Sequence, residues 1–370
     1  MKVLMVGTSL DAPGGVASVL RTWREAGLFE RAQVRYVATN AGRGAAGKLA
    51  AALKAWGVCA ATMLLGRVAL VHVHTSSFSS FWRKTPVLAC AMLTGRPFIV
   101  SLHGGAFRDF YAARGALGQA WIRLVMRRAR RFVVLTESWR RWATAVEPRA
   151  QVCVIPNTVL PAATPVPSRA AGPGRGALLF LGRIEAEKGI FVLVRALAQA
   201  HAAGARWRLV CGGTGDMDAV RNAMHEAGLP REAVEFRGWV GGAEKAALLA
   251  ECELLVLPSQ VENMPVVILE AFAQGKPVIA SRVGGVPDML SQDIEGRLLA
   301  PGDTEGLAAA LVDAWHEAAA WRQRGEAARE RFRRDYACDA VLARVEALYA
   351  ECLGTAQLQG CAPGRPKGVS

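Results

Sequence analysis

The chain has 370 residues, of which 52% are hydrophobic and 21% are charged, and its net charge at pH 7 is +14. This composition excludes a disordered or fibrous protein, and the length is sufficient for two domains of ordinary size. The cysteines are scattered and form no Cys-x-x-Cys pair, which argues against a zinc site and for reduced, mostly buried thiols in a cytosol. The first apolar run is too short for a signal peptide.

Short apolar strands alternate with helical segments along the whole chain, which predicts an α/β protein with parallel sheets. In the first half, strands are predicted at 3–6, 34–38, 69–73, 98–102, 132–135 and 152–155. In the second half, strands are predicted near Leu178, Arg208, Val234, Leu254, Val278 and Arg297. The apolar segment 49–65 contains Lys54 and is shorter than the ~20 residues of a membrane span, so we predict a buried helix.

A change of composition divides the chain. Residues 161–176 are rich in Pro, Ala and Gly without periodicity, which is typical of an interdomain linker. We therefore predict a first domain over 1–160 and a second over 177–334. A helical pattern follows at about 335–355, and residues 356–370 are predicted to form a disordered tail.

Two glutamates in the second half bracket a strand-to-helix connection. Glu262 falls on the loop, Pro265 suits the first turn of the helix, and Glu270 lies inside the helix, which is predicted to continue through Ala273. Free backbone N–H groups at a helix start attract anions, so the segment offers a phosphate site with a carboxylate on either side. On this pattern alone, two surface glutamates remain the alternative.

Two cations flank an earlier turn. Arg183 and Lys188 lie between a short apolar strand and a helix predicted from Ile190 to about Ala200. The planar guanidinium and the mobile ammonium together suit a diphosphate better than a single phosphate. A solvated Arg and Lys would give the same pattern.

Together these two segments resemble the family 4 glycosyltransferases, which carry a Gly-Arg-x-x-x-x-Lys-Gly turn and a Glu-x7-Glu segment in this order. The resemblance covers about residues 1–355, and four further segments match: Gly14-Gly15-Val16, Leu102-His103-Gly104, Val154-Ile155-Pro156-Asn157 and Gly212-Gly213-Thr214-Gly215-Asp216. It implies the GT-B fold, in which two Rossmann-like domains with parallel sheets face each other and a C-terminal helix crosses back to the first domain.

The resemblance also implies roles for the residues on the facing loops. Glu262, against the donor sugar, and His103 would be catalytic, and Glu270 would accept hydrogen bonds from the ribose. Arg183 and Lys188 would hold the diphosphate. The remaining residues implied to bind the nucleotide sugar are Gly14, Gly15, Trp239, Val240, Asn263, Met264, Pro265 and Val266.

The implied reaction is retaining transfer of a hexose from a UDP- or GDP-sugar to a glycan acceptor, on a polyprenyl diphosphate or another lipid, in surface polysaccharide assembly. Cations and helix dipoles can stabilise the departing diphosphate, so no metal or other cofactor is predicted. A soluble acceptor and a non-catalytic nucleotide-sugar-binding protein remain alternatives. A dinucleotide oxidoreductase is disfavoured because residues 7–15 lack the Gly-x-Gly-x-x-Gly spacing.

Some positions depart from the family pattern or have simpler explanations. Asn263-Met264-Pro265 stands where many members have Gly-Phe-Gly, and Gly104 where many have Asp. A lone histidine at a strand end, such as His103, is often only a structural hydrogen-bonding group. The segment 212–216 would equally fit a tight turn, and Asn157 is predicted to be a loop cap.

The positive charge is concentrated in an Arg-rich stretch, 108–149. Ten arginines and three acidic residues stand between Ala106 and Arg149, interleaved with Phe107, Phe110, Tyr111, Trp121, Trp139 and Trp142. The sequence has no recognised nucleic-acid-binding motif, which leaves a solvated helix face or an anionic membrane surface. Because the first domain of the family handles the acceptor, we predict a cytoplasmic protein, peripheral at the inner face of the cytoplasmic membrane.

Overall fold

The computed structural model describes residues 2–40, 44–160 and 176–354. The predicted linker, apart from Gly176, and the predicted tail lie outside the described residues. The described chain forms two six-stranded sheets, and every strand pair is parallel.

The first sheet has the strand order β2-β1-β3-β4-β5-β6. Its strands are β1 Val3–Gly7, β2 Val34–Ala38, β3 Leu70–Thr75, β4 Phe98–Leu102, β5 Arg131–Val134 and β6 Val152–Val154. The helices between them are α1 Gly15–Glu25, α2 Leu28–Arg31, α3 Gly44–Leu64, α4 Ser79–Leu93, α5 Phe107–Ala112, α6 Ala116–Arg128 and α7 Glu137–Val146.

The second sheet has the strand order β12-β11-β10-β7-β8-β9. Its strands are β7 Ala177–Leu181, β8 Arg208–Gly212, β9 Val234–Phe236, β10 Leu254–Leu257, β11 Val278–Ser281 and β12 Gly296–Leu299. The helices that follow β7 are α8 Ile190–Ala202, α9 Met217–Glu226, α10 Gly242–Glu251, α11 Val266–Ala273, α12 Val286–Met289, α13 Thr304–His316, α14 Ala318–Arg331 and α15 Cys338–Cys352.

The predicted parallel α/β architecture is confirmed, since each of the twelve predicted strands is present within two residues of its expected position. Strands covered by helices on both faces are mostly apolar, and this makes them recognisable in the sequence. All residues of β1, β3, β4, β7, β10 and β11, for example, are buried.

Each sheet has one point at which the strand order reverses direction. In the second sheet the chain runs outward from β7 through β8 to β9 and then returns to β10 on the other side of β7. In the first sheet the chain runs from β1 to β2 and returns to β3 on the other side of β1. Crevices at such points, at the carboxyl ends of the strands, are the usual ligand sites of open parallel sheets.

The last described helix returns to the first sheet, as predicted. A π-helical turn, Phe332–Tyr336, leads into α15, whose apolar side packs in one core with residues of β1, β4 and β5. The Tyr349 hydroxyl lies 2.7 Å from Nδ1 of His72 in β3. Glu346 pairs with Arg31 at 2.6 Å, and Glu351 pairs with Arg131.

The prediction that segment 49–65 is a buried helix is half wrong. The segment is helical, but only one side of α3 is buried, and Leu49, Leu53 and Leu64 are 55 to 71% exposed. Alanine and leucine occur all round this helix, so the sequence does not reveal which side packs. None of the described helices is both long and apolar enough to cross a membrane.

Candidate functional site

A cavity of about 1140 Å³ lies between the carboxyl ends of the two sheets. All thirteen residues predicted to bind the nucleotide sugar or to act in catalysis line it. Both strand-order reversals open into it, because the loops after β1, β3, β7 and β10 each contribute lining residues. The topology therefore brings together predicted site residues that are up to 256 positions apart in the chain, from Gly14 to Glu270.

The turn after β7 carries Arg183 and Lys188 into the cavity. Gly189, at φ 77°, ends the turn, and a Cβ there would lie 2.0 Å from the Pro258 carbonyl oxygen after β10. The missing side chain thus lets the two loops touch. Lys188 Nζ lies 2.6 Å from Glu262 Oε1, and both side chains are largely buried. Arg183 is more exposed and pairs with Glu185 at 2.7 Å.

The loop after β10 is packed tightly against the first domain. Asn263 Nδ2 donates to the Leu102 carbonyl oxygen at 3.2 Å, and a Cβ on Gly105 would lie 2.6 Å from the Glu262 carbonyl carbon. Pro265 is the N-cap residue of α11, next to the predicted helix start, and the first turn of this helix lines the cavity. The start of α11 therefore presents its positive dipole end to the cavity.

Glu270 lies one turn further along α11 and pairs with Lys245 of α10. Burial raises the pKa of this carboxyl group, and the Lys245 ammonium opposes that rise. A second cation, Arg21, also lowers the pKa of Glu270, and it lines the same cavity. The two predicted glutamates are thus each matched by a lysine from a neighbouring element.

Sequence reasoning missed Lys245 and Arg21. Lys245 follows the Trp239-Val240 segment by five residues but reads as an ordinary solvated helix residue. Arg21 looks equally ordinary on α1, yet its guanidinium donates to the Leu10 carbonyl oxygen in the loop after β1. Only the packing of α10 and α1 against the cavity reveals these two side chains.

His103 directly follows β4 and lines the cavity, and its ring contacts a second histidine. Its Nε2 lies 3.0 Å from Nδ1 of His74, a fully buried residue at the end of β3. Burial lowers the pKa of His103 to about 4, and the nearby Lys84 ammonium adds to this effect. His103 is therefore neutral at pH 7 and can hydrogen-bond a sugar without carrying charge.

The two glycines of the first loop face α11 across the cavity. Gly14 adopts φ 121°, which favours glycine, and begins α1. A Cβ on Gly15 would lie 3.7 Å from the Val266 side chain. The loop after β1 therefore approaches the start of α11 closely, as expected for a backbone that covers a bound phosphate.

Two other segments contribute Asn157, Gly212 and Thr214 to the cavity lining and also make structural contacts. Asn157 caps no loop of its own, and its Nδ2 donates to the Met264 carbonyl oxygen at 2.9 Å, which ties the domains together. In segment 212–216, Asp216 Oδ1 accepts a hydrogen bond from the Ala219 N–H and caps α9. Asp216 and Asp218 also form an Asp-x-Asp sequence, which the prediction of no metal did not consider. Asp218 pairs with Arg221, and neither aspartate lines the cavity.

Position 104 shows why this chain departs from the family pattern. A Cβ on Gly104 would lie 2.4 Å from Ser77 Oγ and 2.6 Å from Ser77 N. An aspartate there would displace the loop after β3. Glycine at this position is therefore required by the position of that loop.

Comparison with known proteins gives the same class. Residues 3–158 match the family described as "Glycosyl transferase 4-like domain", and residues 175–317 match "Glycosyl transferases group 1". The glycogen synthase of Mycobacterium tuberculosis is 32% identical over 201 residues, which is 54% of this chain and 48% of that protein. The amylovoran biosynthesis glycosyltransferase AmsK of Erwinia amylovora is 28% identical over 36% of this chain and 35% of its own length. The chain thus spans half or less of these curated relatives.

Two solved structures share the fold over nearly the whole chain. The sucrose-phosphate synthase of Thermosynechococcus elongatus has a TM-score of 0.79 at 19% identity and covers 96% of this chain and 100% of that one. HepE of Anabaena, solved in complex with UDP, has a TM-score of 0.72 at 18% identity, with coverages of 95% and 100%. These neighbours confirm the predicted GT-B architecture.

The two matched families together span both sheets of the fold. The chain belongs to the group 1 glycosyltransferases. The roles assigned above to individual residues, and the absence of a metal requirement, stay predictions.

Proposed function

We propose that the protein is a retaining glycosyltransferase that moves a hexose from a UDP- or GDP-sugar to a lipid-linked glycan acceptor in surface polysaccharide assembly. One observation carries the proposal: residues predicted from separate sequence segments all line a single cavity where both strand orders reverse. UDP in the HepE complex and the role of AmsK in amylovoran biosynthesis support the donor class and the pathway class.

The donor would lie along the second sheet. Its diphosphate would bind to the N-terminal end of α11 and to Lys188 and Arg183. Its ribose would hydrogen-bond to Glu270, and its base would lie near Trp239 and Val240. Each of these residues lines the cavity. Because Lys188 is paired with Glu262, a bound diphosphate would share Lys188 with that carboxylate or displace it.

Transfer breaks the bond between the sugar's anomeric carbon and the diphosphate oxygen and forms a bond from the same carbon to the acceptor oxygen. The acceptor hydroxyl's proton passes to the departing phosphate oxygen on the same face of the sugar, so the configuration is retained. Lys188, Arg183 and the α11 dipole would stabilise the negative charge that grows on the diphosphate. Glu262 and neutral His103 would hold the sugar.

A thermal-shift screen with UDP, GDP and ADP tests the donor class. A ligand that binds only the folded protein stabilises it according to its concentration relative to Kd. We expect UDP or GDP to raise the Tm more than ADP does, and the cognate nucleotide sugar to raise it as well. No shift with any of the three nucleotides would contradict the proposal.

The proposed membrane contact rests on the arginines and not on the aromatic residues between them. Seven of the ten arginines in the stretch are exposed: Arg123, Arg127, Arg128, Arg130, Arg140, Arg141 and Arg149. Phe107, Phe110 and Trp139 are buried in the core and do not offer lipid contacts. Leu117 of α6, which is 89% exposed, offers an apolar contact instead.

Flotation with liposomes tests this contact. Each basic residue near an anionic surface contributes about 1 kcal/mol, so the wild type should float with anionic vesicles and not with neutral ones. Arg123/Arg127/Arg130→Glu should abolish flotation, and 1 M salt should weaken it because screening shortens to about 3 Å.

The matched control is Arg195/Arg206/Arg231→Glu, which makes the same charge change at exposed residues of the second half. This variant should float like the wild type. Flotation that responded to neither set of substitutions would leave α6 as a solvated face and favour a soluble acceptor.

A further inference from the structure

The loop after β3, residues 76–78, lines the cavity beside His103 but has no part in the proposed donor site. It stands at the first sheet's strand-order reversal, between the loop after β1 and the loop after β4. The equivalent point of the second sheet is where the donor residues gather. The loop therefore occupies the first sheet's usual ligand position, opposite the donor.

Phe78 holds an exposed aromatic ring in this loop. Phe78 is 52% exposed, and its ring packs edge-on against the buried Phe110, with centroids 5.4 Å apart. The Phe78 backbone has φ 53° and ψ −126°, a conformation that L side chains rarely adopt. Strain of this kind persists where the surrounding structure enforces it, and it is concentrated at binding sites.

The neighbouring hydroxyl is also unusual. Ser77 Oγ is buried and has no hydrogen-bond partner among the described residues. The loop around it is fixed, because the Ser76 N–H donates to Ser80 Oγ at 3.2 Å and Lys84 Nζ donates to the same oxygen at 2.9 Å. A rigid loop thus presents an aromatic ring next to His103, while the Ser77 hydroxyl is buried against Gly104.

We propose that Phe78 forms a subsite for a hexopyranose ring of the acceptor. The C–H face of a sugar is weakly positive and the face of a phenyl ring is negative, so the two stack. The side of the cavity opposite the donor residues is where an acceptor must enter. This proposal rests on the proposed function and specifies which part of the first domain reads the acceptor.

Saturation-transfer NMR with methyl glycosides tests the subsite. The probes are the methyl pyranosides of glucose, galactose, mannose and N-acetylglucosamine, at millimolar concentration with the nucleotide found by the thermal-shift screen. We expect the wild type to saturate the ring protons of at least one probe. Phe78→Ala should weaken that probe's binding about five-fold or more, and Phe78→Tyr should retain it.

Two further variants separate binding from folding. Phe78→Gly should unfold at a higher Tm than Phe78→Ala, because glycine relieves the strained backbone, and yet bind the probe no better. Trp82→Ala, which removes an exposed aromatic residue one turn further along α4 that does not line the cavity, should bind like the wild type.

Nucleotide binding, measured by calorimetry, should be the same in all these variants. If the wild type bound its nucleotide but saturated none of the glycosides, or if Phe78→Ala matched the wild type or weakened binding no more than Trp82→Ala, the sugar subsite would be wrong. If the wild type did not bind the nucleotide at all, the proposed donor site would be contradicted instead.

Discussion

Glu262→Gln should lower kcat by about 100-fold or more at saturating donor, while UDP or GDP binds with nearly unchanged affinity. The variant keeps the shape of the side chain and an oxygen that can accept from Lys188, which lies 2.6 Å from it in the native protein. It removes only the negative charge proposed to face the donor sugar at the reacting carbon. Steady-state kinetics with the donor identified by thermal shift, together with calorimetry of the nucleotide, measure the two effects.

The second glutamate should behave in the opposite way. Glu270→Ala should lower the affinity for the nucleotide, because the contact with the ribose is lost, and it should leave Lys245 without this carboxylate partner. Glu251→Ala, an exposed glutamate of α10 outside the cavity, is the matched control and should change neither quantity. Normal turnover by Glu262→Gln at saturating donor would mean that Glu262 does not lie beside the reacting sugar.

Lys188→Ala should lower the affinity for UDP or GDP by about 10- to 100-fold, because a charged hydrogen bond contributes about 1.5 to 3 kcal/mol. The affinity for the corresponding nucleoside should hardly change. Arg183→Ala should have a smaller effect in the same direction, since Arg183 is more exposed and is already paired with Glu185. Calorimetric titration of each variant with the nucleotide and with its nucleoside gives the difference directly.

Lys54→Ala removes an exposed lysine of α3 outside the cavity and controls for the loss of one positive charge. It should bind both ligands as the wild type does. Equal losses of nucleotide and nucleoside in Lys188→Ala would mean that the diphosphate lies elsewhere in the cavity.

The central strands of both sheets were predictable because strands buried on both faces are mostly apolar, and the sequence shows this directly. The exposed side of α3 was not predictable, because its leucines and alanines give no preferred face. The location of the aromatic residues in the Arg-rich stretch was also not predictable from the sequence. An arginine beside a tryptophan suggests a membrane interface, but Trp139 is buried and the Arg108 guanidinium lies over its ring at 4.7 Å.

The cavity residues were predictable where a motif marks them, as at Arg183 and Glu270, and not where only tertiary packing does. The pairing of Lys188 with Glu262 joins positions 74 residues apart, and it depends on β7 and β10 being neighbours. Lys245 carries no motif, and its role follows from the approach of α10 to α11. Phe78 is similar, since its strained backbone has no sign in the sequence.

The return of α15 to the first sheet sets an order for biosynthesis. The ribosome releases the strands of the first sheet early, but the helix that supplies Tyr349 to His72 emerges only after the whole second sheet. A nascent or truncated chain that stops before Cys338 would leave His72 without this hydroxyl and one flank of the first sheet in contact with water. The first domain is therefore synthesised first, but its packing is complete only when α15 has been synthesised.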